Sequence, residues 1–154
     1  MKLGLTSAGC RAGLIALWMC LSFAAWAGAN REIKFEASLV WATNDEKSPD
    51  PNQKPPDEAM RKKLRELPLK WKNYFVVTNV PFAVALGSAS EVTLSDKCRL
   101  NVKDAGEPHV EVSLIGQGEP VLKRTQQLVR GKMLVLGGDA PDQTGWLVVL
   151  KRTE

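Results

Sequence analysis

The side chains in this sequence that could do chemistry are few and widely separated. His109 is the only histidine, so a multi-histidine metal site is excluded, and a Ser-His-Asp or Cys-His arrangement would have to use it. It follows Pro108 at a predicted strand start, on the face opposite Val110 and Val112, which predicts an exposed position. There is no G-x-S-x-G, Walker loop or H-E-x-x-H. The carboxylate pairs that hydrolyse glycosides are brought together only when the chain folds, so the sequence does not identify such a pair. We therefore predict no catalytic residue, metal ligand or cofactor, and a hydrolase is the least favoured interpretation.

Two segments are candidates for binding. The first is the densest basic region of the chain, which contains Arg61, Lys62, Lys63, Arg65, Lys70 and Lys72. The second is a polar loop next to a tryptophan, which contains Asp139, Asp142 and Trp146. Basic side chains suit an acidic surface such as lipid phosphates, an anionic glycan or an acidic protein. Tryptophan beside polar groups suits sugars. Each segment also has a plainer explanation, which we favour: a solvated helix face, and a tryptophan that opens an apolar run and lies in the core.

Residues 43–56 (TNDEKSPDPNQKPP) predict a Pro-rich loop, because proline cannot join a ladder or a helix interior. The loop is longer than most connections in a compact domain, which suggests a functional or mobile segment. Its oxygen-bearing side chains are Asn44, Asp45, Glu46, Asp50 and Asn52. They lack the alternation and the glycine of an EF-hand loop, so a solvated loop is favoured over a calcium site.

The first 27 residues have the three parts of a secretory signal. Lys2 and Arg11 supply positive charge, and an uncharged apolar stretch follows. Ala25-Trp26-Ala27 then offers small residues to a signal peptidase, with Ala27-Gly28-Ala29 as an alternative. The apolar stretch is shorter than the ~20 residues that cross a bilayer, so cleavage is favoured over an uncleaved anchor. We therefore expect a signal-peptide helix that is removed and a periplasmic or extracellular protein.

Removal of the signal changes both the cysteine content and the charge. Cys10 and Cys20 leave with it, so Cys98 alone remains and no internal disulfide can form. Cys98 opens an apolar alternation, which favours a small buried hydrophobe over a reactive thiol or an intermolecular disulfide. The signal holds two of the 21 basic residues and none of the 17 acidic ones, which leaves 19 minus 17, or +2. A charge so near neutrality gives no case for nucleic-acid binding.

Residues 28–154 are enough for a single domain with its own core. Residues 31–42 alternate apolar and polar, which predicts a long strand with one buried face. Residues 57–67 (DEAMRKKLREL) predict one helix, capped by Asp57 and stopped by Pro68. Beyond the helix, turn signals recur about every ten residues, which is typical of a sandwich or small barrel. The predicted fold is all-β, with about eight strands and one short α-helix.

Two apolar runs near the C-terminus organise this fold. Residues 133–136 and 146–150 flank a loop of Gly, Asp, Pro, Gln and Thr. Continuous apolar runs suit strands buried on both faces, so we expect a closing hairpin in the middle of the β-structure. Residues 121–128 are rich in Lys, Arg, Thr and Gln and predict an edge strand, where charge discourages unwanted pairing.

Four features follow one another from residue 57 to residue 152. They are the basic helix, the strand entry at residues 70–75 (KWKNYF), a polar β-region, and the terminal pair GKMLVLGGDAP and GWLVVL. Together they resemble a loose group of small exported bacterial β-proteins of unknown function. The resemblance implies a β-fold and a location outside the cytoplasm, and it implies no activity. Residues 31–56 fall outside it.

We therefore expect an exported, non-enzymatic β-domain that binds a protein or a cell-envelope component, with the Pro-rich loop and the basic helix as its first contact surfaces. The alternative is a glycan- or anion-binding module. Carboxylates clustered with an aromatic in a concave pocket would favour the alternative. An unpaired, flat strand edge would favour a protein partner, because edges recruit strands. Nucleic acid is not an expected partner, nor is a stable membrane span after signal cleavage.

Overall fold

The computed structural model describes residues 31–154, so the predicted signal at 1–27 lies outside the described residues. Eight strands form two antiparallel four-stranded sheets, which confirms the predicted β-class and makes it a sandwich. The elements are β1 (Glu32–Thr43), α1 (Glu58–Arg65), β2 (Asn73–Ala85), β3 (Ala89–Ser95), β4 (Cys98–Asp104), β5 (His109–Gly116), β6 (Glu119–Gln127), β7 (Met133–Asp139) and β8 (Gly145–Arg152).

The first sheet has the order β2-β1-β8-β7, and the second has the order β3-β4-β5-β6. Their inner faces enclose the main core, in which Phe35, Leu100, Val112 and Leu150 are almost completely buried. On one side the two sheets are joined, because β2 runs directly into β3 and Ser90 Oγ donates to the Ala83 carbonyl at 2.9 Å. On the other side β6 and β7 belong to different sheets, and no ladder joins them.

A second, smaller core lies on the outer face of the first sheet, under α1. Asp57 caps this helix by accepting a hydrogen bond from the Met60 N–H at 2.7 Å, as predicted. Met60 and Leu64 are buried in one cluster with Val40 and Val149. A helix of eight residues is too short to be stable alone, so this packing holds it in place.

Strand β8 is buried on both faces, as its apolar run predicts. Leu147 and Val149 face α1, whereas Val148 and Leu150 face the second sheet. The prediction that both strands of the closing hairpin are central is wrong for β7, which is an edge strand. An apolar run indicates that both faces of a strand are covered by other layers. It does not indicate whether the strand has a hydrogen-bonded neighbouring strand on each side.

Strand β1 is more buried than its alternation predicts. Its first half has one buried face, whereas Val40 and Ala42 in its second half lie under α1, so the outer face is covered there as well. In β2, a bulge occurs where Thr78 and Val76 pair with consecutive residues of β1 and leave Val77 extra. The bulge shifts the alternation of side chains along β2, so Phe75 lies on the inner face beside Trp41.

Replacing Leu150 by alanine is expected to lower the free energy of unfolding by about 2–5 kcal/mol, because a fully buried side chain of the main core is removed. Leu86→Ala is the matched control, since Leu86 is 46% exposed, and its effect is expected within about 0.5 kcal/mol. Urea denaturation measures both values. Equal losses for the two variants would contradict the two-sheet core.

Candidate functional site

The two predicted binding segments contact each other at one end of the first sheet. Lys70 Nζ lies 2.8 Å from Asp139 Oδ2, which joins a cation of the basic segment to an acid of the β7–β8 loop. Trp71 Nε1 donates to the Gln143 carbonyl at 2.8 Å in the same loop. Of the residues chosen separately from the sequence, Lys70 and Asp139 therefore meet at this surface.

The Pro-rich loop begins at the same end. The Lys72 N–H donates to Asn44 Oδ1 at 3.1 Å, and Asn73 Nδ2 donates to the Asp45 carbonyl at 2.9 Å. These bonds tie the start of β2 to the residues that follow β1. We call residues 43–46, 70–75 and 139–146 together the loop end of the sandwich.

Trp71, which the sequence did not single out as a site residue, is the structural centre of the loop end. Its side chain is buried, and its ring packs on Gly145 so closely that a Cβ there would lie 2.4 Å from the ring carbons. Lys70 Nζ lies 5.2 Å from the centre of the same ring, within range of a cation–π contact. Trp71 therefore holds the basic segment against the β7–β8 hairpin.

Trp146 lies on the opposite face of the sheet and is 44% exposed, so its predicted core position is wrong. It pairs with Trp41 on β1, which in turn pairs with Phe75 on β2 at a ring-centroid distance of 6.0 Å. The three side chains form a row across three neighbouring strands, which we call the aromatic row.

Trp146 is exposed, and Trp41 and Phe75 are half-buried, because the aromatic row lies one step beyond the main core. The preceding row on the same face, Leu39, Val148 and Leu136, is buried in the core, whereas no member of the aromatic row belongs to it. On its β7 side Trp146 pairs with Gly138, which has no side chain to cover the indole. An apolar residue at the end of a strand is buried only if the opposite sheet extends that far.

The two acids of the loop are engaged in local bonds. Asp139 pairs with Lys70. Asp142 Oδ1 accepts from the Thr144 hydroxyl at 2.6 Å and from the Thr144 N–H at 3.1 Å. These hydrogen bonds lower the pKa of the Asp142 carboxyl from its ordinary value, with the hydroxyl as the largest cause. Both acids therefore stabilise the turn that presents Trp146.

The basic segment does not form one patch. Arg61 Nη1 donates to Glu58 Oε2 at 3.5 Å, and Arg61 Nη2 donates to the Pro56 carbonyl at 3.2 Å. Lys70 forms an ion pair with Asp139. Within residues 31–154, the cations of the segment that make no ion pair are Lys62, Lys63, Arg65 and Lys72. They are distributed over the helix and the start of β2, which leaves a dispersed positive surface.

Three of the five oxygen-bearing side chains of the Pro-rich loop, Asp45, Asp50 and Asn52, bond within the loop. Asp45 Oδ2 accepts from the Thr43 hydroxyl at 3.2 Å, and Asp50 Oδ1 accepts from the Asn52 amide at 3.0 Å. Further along, Lys54 forms a β-bridge with Val76 and occupies part of the outer edge of β2. Across the described part of the chain, no three His, Cys, Asp or Glu side chains are grouped to hold a metal ion.

Two other reactive side chains lie away from the loop end. His109 is exposed, as predicted. Cys98 is half-buried against the main core, where burial raises the pKa of its thiol. A raised pKa keeps the sulfur protonated and less reactive, which agrees with its interpretation as a small hydrophobe.

Two open grooves, of 510 and 260 Å³, lie along the first sheet. The larger is lined by β1, β2 and Thr153, and the smaller runs between α1 and the sheet, with Met60, Met133 and Val149 in its wall. Neither groove is lined by residues of the loop end.

Comparisons with protein-family models, with curated proteins and with solved structures give no match to this chain. The resemblance over residues 57–152 therefore remains a prediction. In the part of the chain that the structure describes, no helix has the length and apolar character needed to cross a membrane.

Gly145→Ala is expected to lower the free energy of unfolding by about 1–3 kcal/mol, because the new methyl group would collide with the Trp71 ring. Gly138→Ala is the matched control in the same hairpin, since a Cβ there meets no atom within 4 Å. Thermal and urea unfolding measure the difference. A loss of stability in Gly138→Ala equal to that in Gly145→Ala would contradict the clamping role of Trp71.

Proposed function

We propose that this protein is exported and acts outside the cytoplasm as a non-enzymatic binding domain. Its loop end recognises a protein or another cell-envelope component, with Trp146 as the anchor. The observation that carries this proposal is the exposure of Trp146 directly before four consecutive buried residues of the same strand, Leu147, Val148, Val149 and Leu150. The signal features of residues 1–27 support export.

A protein partner suits the chemistry of the aromatic row. Tryptophan side chains are enriched among the few interface residues that supply most of the binding energy, and such anchors are surrounded by polar groups that exclude water. Trp146 is held on β8 by ladders to β1 and β7, so little backbone freedom is lost when it is covered. The polar loops at 43–46 and 139–144 form the surrounding rim.

The bonding of the loop acids supports recognition rather than catalysis. A general acid or base needs a carboxyl that is free to meet a substrate. Asp139 and Asp142 are instead held by Lys70 and Thr144, and the hydrogen bonds from Thr144 lower the pKa of the Asp142 carboxyl.

A glycan is the second candidate ligand, and the aromatic row is the observation that favours it. An open aromatic surface can stack against the apolar face of a sugar ring. The loop acids are less available for sugar hydroxyls than the sequence suggests, since both are already bonded. We therefore place the glycan second.

Export predicts that the secreted protein lacks the first 27 residues, and intact-mass measurement checks this. Ala27 belongs to both candidate cleavage sites, so Ala27→Arg is expected to block processing and to accumulate the precursor. Trp26→Ser is the control, because signal peptidase does not recognise the side chain between the two small residues. A precursor as the sole secreted species of the unaltered protein would overturn export through a cleaved signal.

Trp146→Ala is expected to weaken binding of the physiological partner by more than about tenfold, because a central interface tryptophan contributes roughly 2 kcal/mol or more. Crosslinking in intact cells identifies the partner, and titration of the purified pair measures the affinity. Leu86→Ala removes an apolar side chain of similar exposure, 46% against 44%, at the opposite end of β2 and is expected to leave the affinity unchanged.

Unchanged affinity in Trp146→Ala would exclude the aromatic row as the recognition surface. The glycan candidate has its own readout. If soluble envelope oligosaccharides alter the tryptophan fluorescence of the unaltered protein but not that of Trp146→Ala, the ligand is a glycan and the protein-partner proposal fails.

A further inference from the structure

The side of the sandwich between β6 and β7 is open. Leu122 and Arg124 on β6 pair with the core residues Leu114 and Val112 of β5, so they face inward, yet both are exposed. By contrast, the inward residues of β7 are buried in the main core. The second sheet therefore extends one strand beyond the first on this side, and the inner face of β6 has no strand opposite it.

The outer edge of β7 offers free backbone groups to a new strand. Gly131, with φ +76°, forms a bulge in which the Arg152 N–H donates to the Lys132 carbonyl at 3.2 Å. Because hydrogen-bonded pairs alternate along an antiparallel ladder, Leu134 and Leu136 bond to β8, and the N–H and C=O groups of Met133 and Val135 point outward.

This edge lacks the usual protection against pairing. Exposed edge strands commonly carry charges or proline, and residues 133–138 contain neither. The edge of β6 has Pro120, Lys123 and Arg124, and the edge of β3 carries Glu91. The edge of β2 is partly occupied by Lys54. The β7 edge is therefore the one best suited to accept a strand in the described part of the molecule.

The charges around this opening indicate what would enter it. Arg124 makes no ion pair among residues 31–154, and the neighbouring β6–β7 connection carries Arg130 and Lys132. An added strand would lie about 10 Å from β6, the ordinary spacing of packed sheets, so its inward side chains would reach these groups.

We propose that an extended, acidic segment of a partner protein adds to β7 as the fifth strand of the first sheet. Its backbone pairs with Met133 and Val135. Its inward side chains alternate, with an apolar residue covering Leu122 and a carboxylate pairing with Arg124. The proposal concerns a surface other than the aromatic row and does not depend on it.

A second copy of this chain fits the opening less well. Its own β7 edge has no acid between residues 133 and 138, so two β7 strands pairing with each other would leave both Arg124 side chains without a carboxylate. The positive charges of Arg124, Arg130 and Lys132 near the opening would also be doubled in such a dimer. Self-association is therefore an outcome that the experiment must separate from binding of an acidic strand.

The test uses the purified protein, labelled with nitrogen-15, and a synthetic blocked peptide of sequence TVTETVT. Its even-numbered residues would face β6, which places a glutamate between two valines. A second peptide, TVTKTVT, reverses that charge. We expect amide shifts in β7 and β6 with the first peptide and about tenfold weaker binding of the second, because a charged hydrogen bond to Arg124 is lost.

Two variants at adjacent positions of β6 separate a specific charge interaction with Arg124 from a general effect of removing positive charge. Arg124→Gln is expected to remove the preference for the acidic peptide. Lys123→Gln is the control, since Lys123 lies on the outer face, 3.1 Å from Glu111, and is expected to keep the preference. Val135→Pro removes an outward N–H and is expected to abolish binding of both peptides, with circular dichroism showing whether the fold is retained.

Several results would overturn the proposal. One is the absence of shifts at millimolar peptide, and another is shifts that map to β2 or β3. Equal binding of the acidic and basic peptides to the unaltered protein would exclude an acidic partner. A preference for the acidic peptide that persists in Arg124→Gln would exclude it as well. A concentration-dependent dimer that Val135→Pro dissociates would identify a second copy of the chain as the occupant.

Discussion

The first sheet has to be covered on both faces, and the rest of the molecule follows from that requirement. Strand β8 presents four consecutive apolar side chains, of which Val148 and Leu150 need one layer and Leu147 and Val149 need another. The second sheet covers the first pair. The short helix α1 and Trp71 cover the other pair, although neither is stable in its position without the sheet beneath it.

This double covering brings the loop end together. The chain that follows α1 has to return across the outer face to start β2, and Trp71 is buried on that route. Its contact with Gly145 and its bond to the Gln143 carbonyl hold the β7–β8 loop, and Lys70 and Asp139 then meet at the surface. Proximity of the separately predicted segments is therefore a consequence of packing on the outer face.

The two surfaces proposed for recognition lie where one sheet extends beyond the edge or end of the other. At one end the first sheet continues past the second, which leaves Trp146 of the aromatic row exposed. At the open side the second sheet continues past the first, which leaves the inner face of β6 uncovered beside the free edge of β7. In both places, inward-facing side chains remain accessible while the backbone that carries them is held in a sheet.

The sequence by itself determined the features that depend on neighbouring residues. The cap at Asp57, the apolar stripe of α1, the double burial of β8 and the polar edge strand β6 all follow from local pattern and side-chain chemistry. Only the tertiary structure decided that Trp146 is exposed, that β7 is an edge and that Lys70 meets Asp139. The reason is physical: alternation along a strand shows which face a side chain is on, whereas its burial depends on how far a distant strand extends over that face.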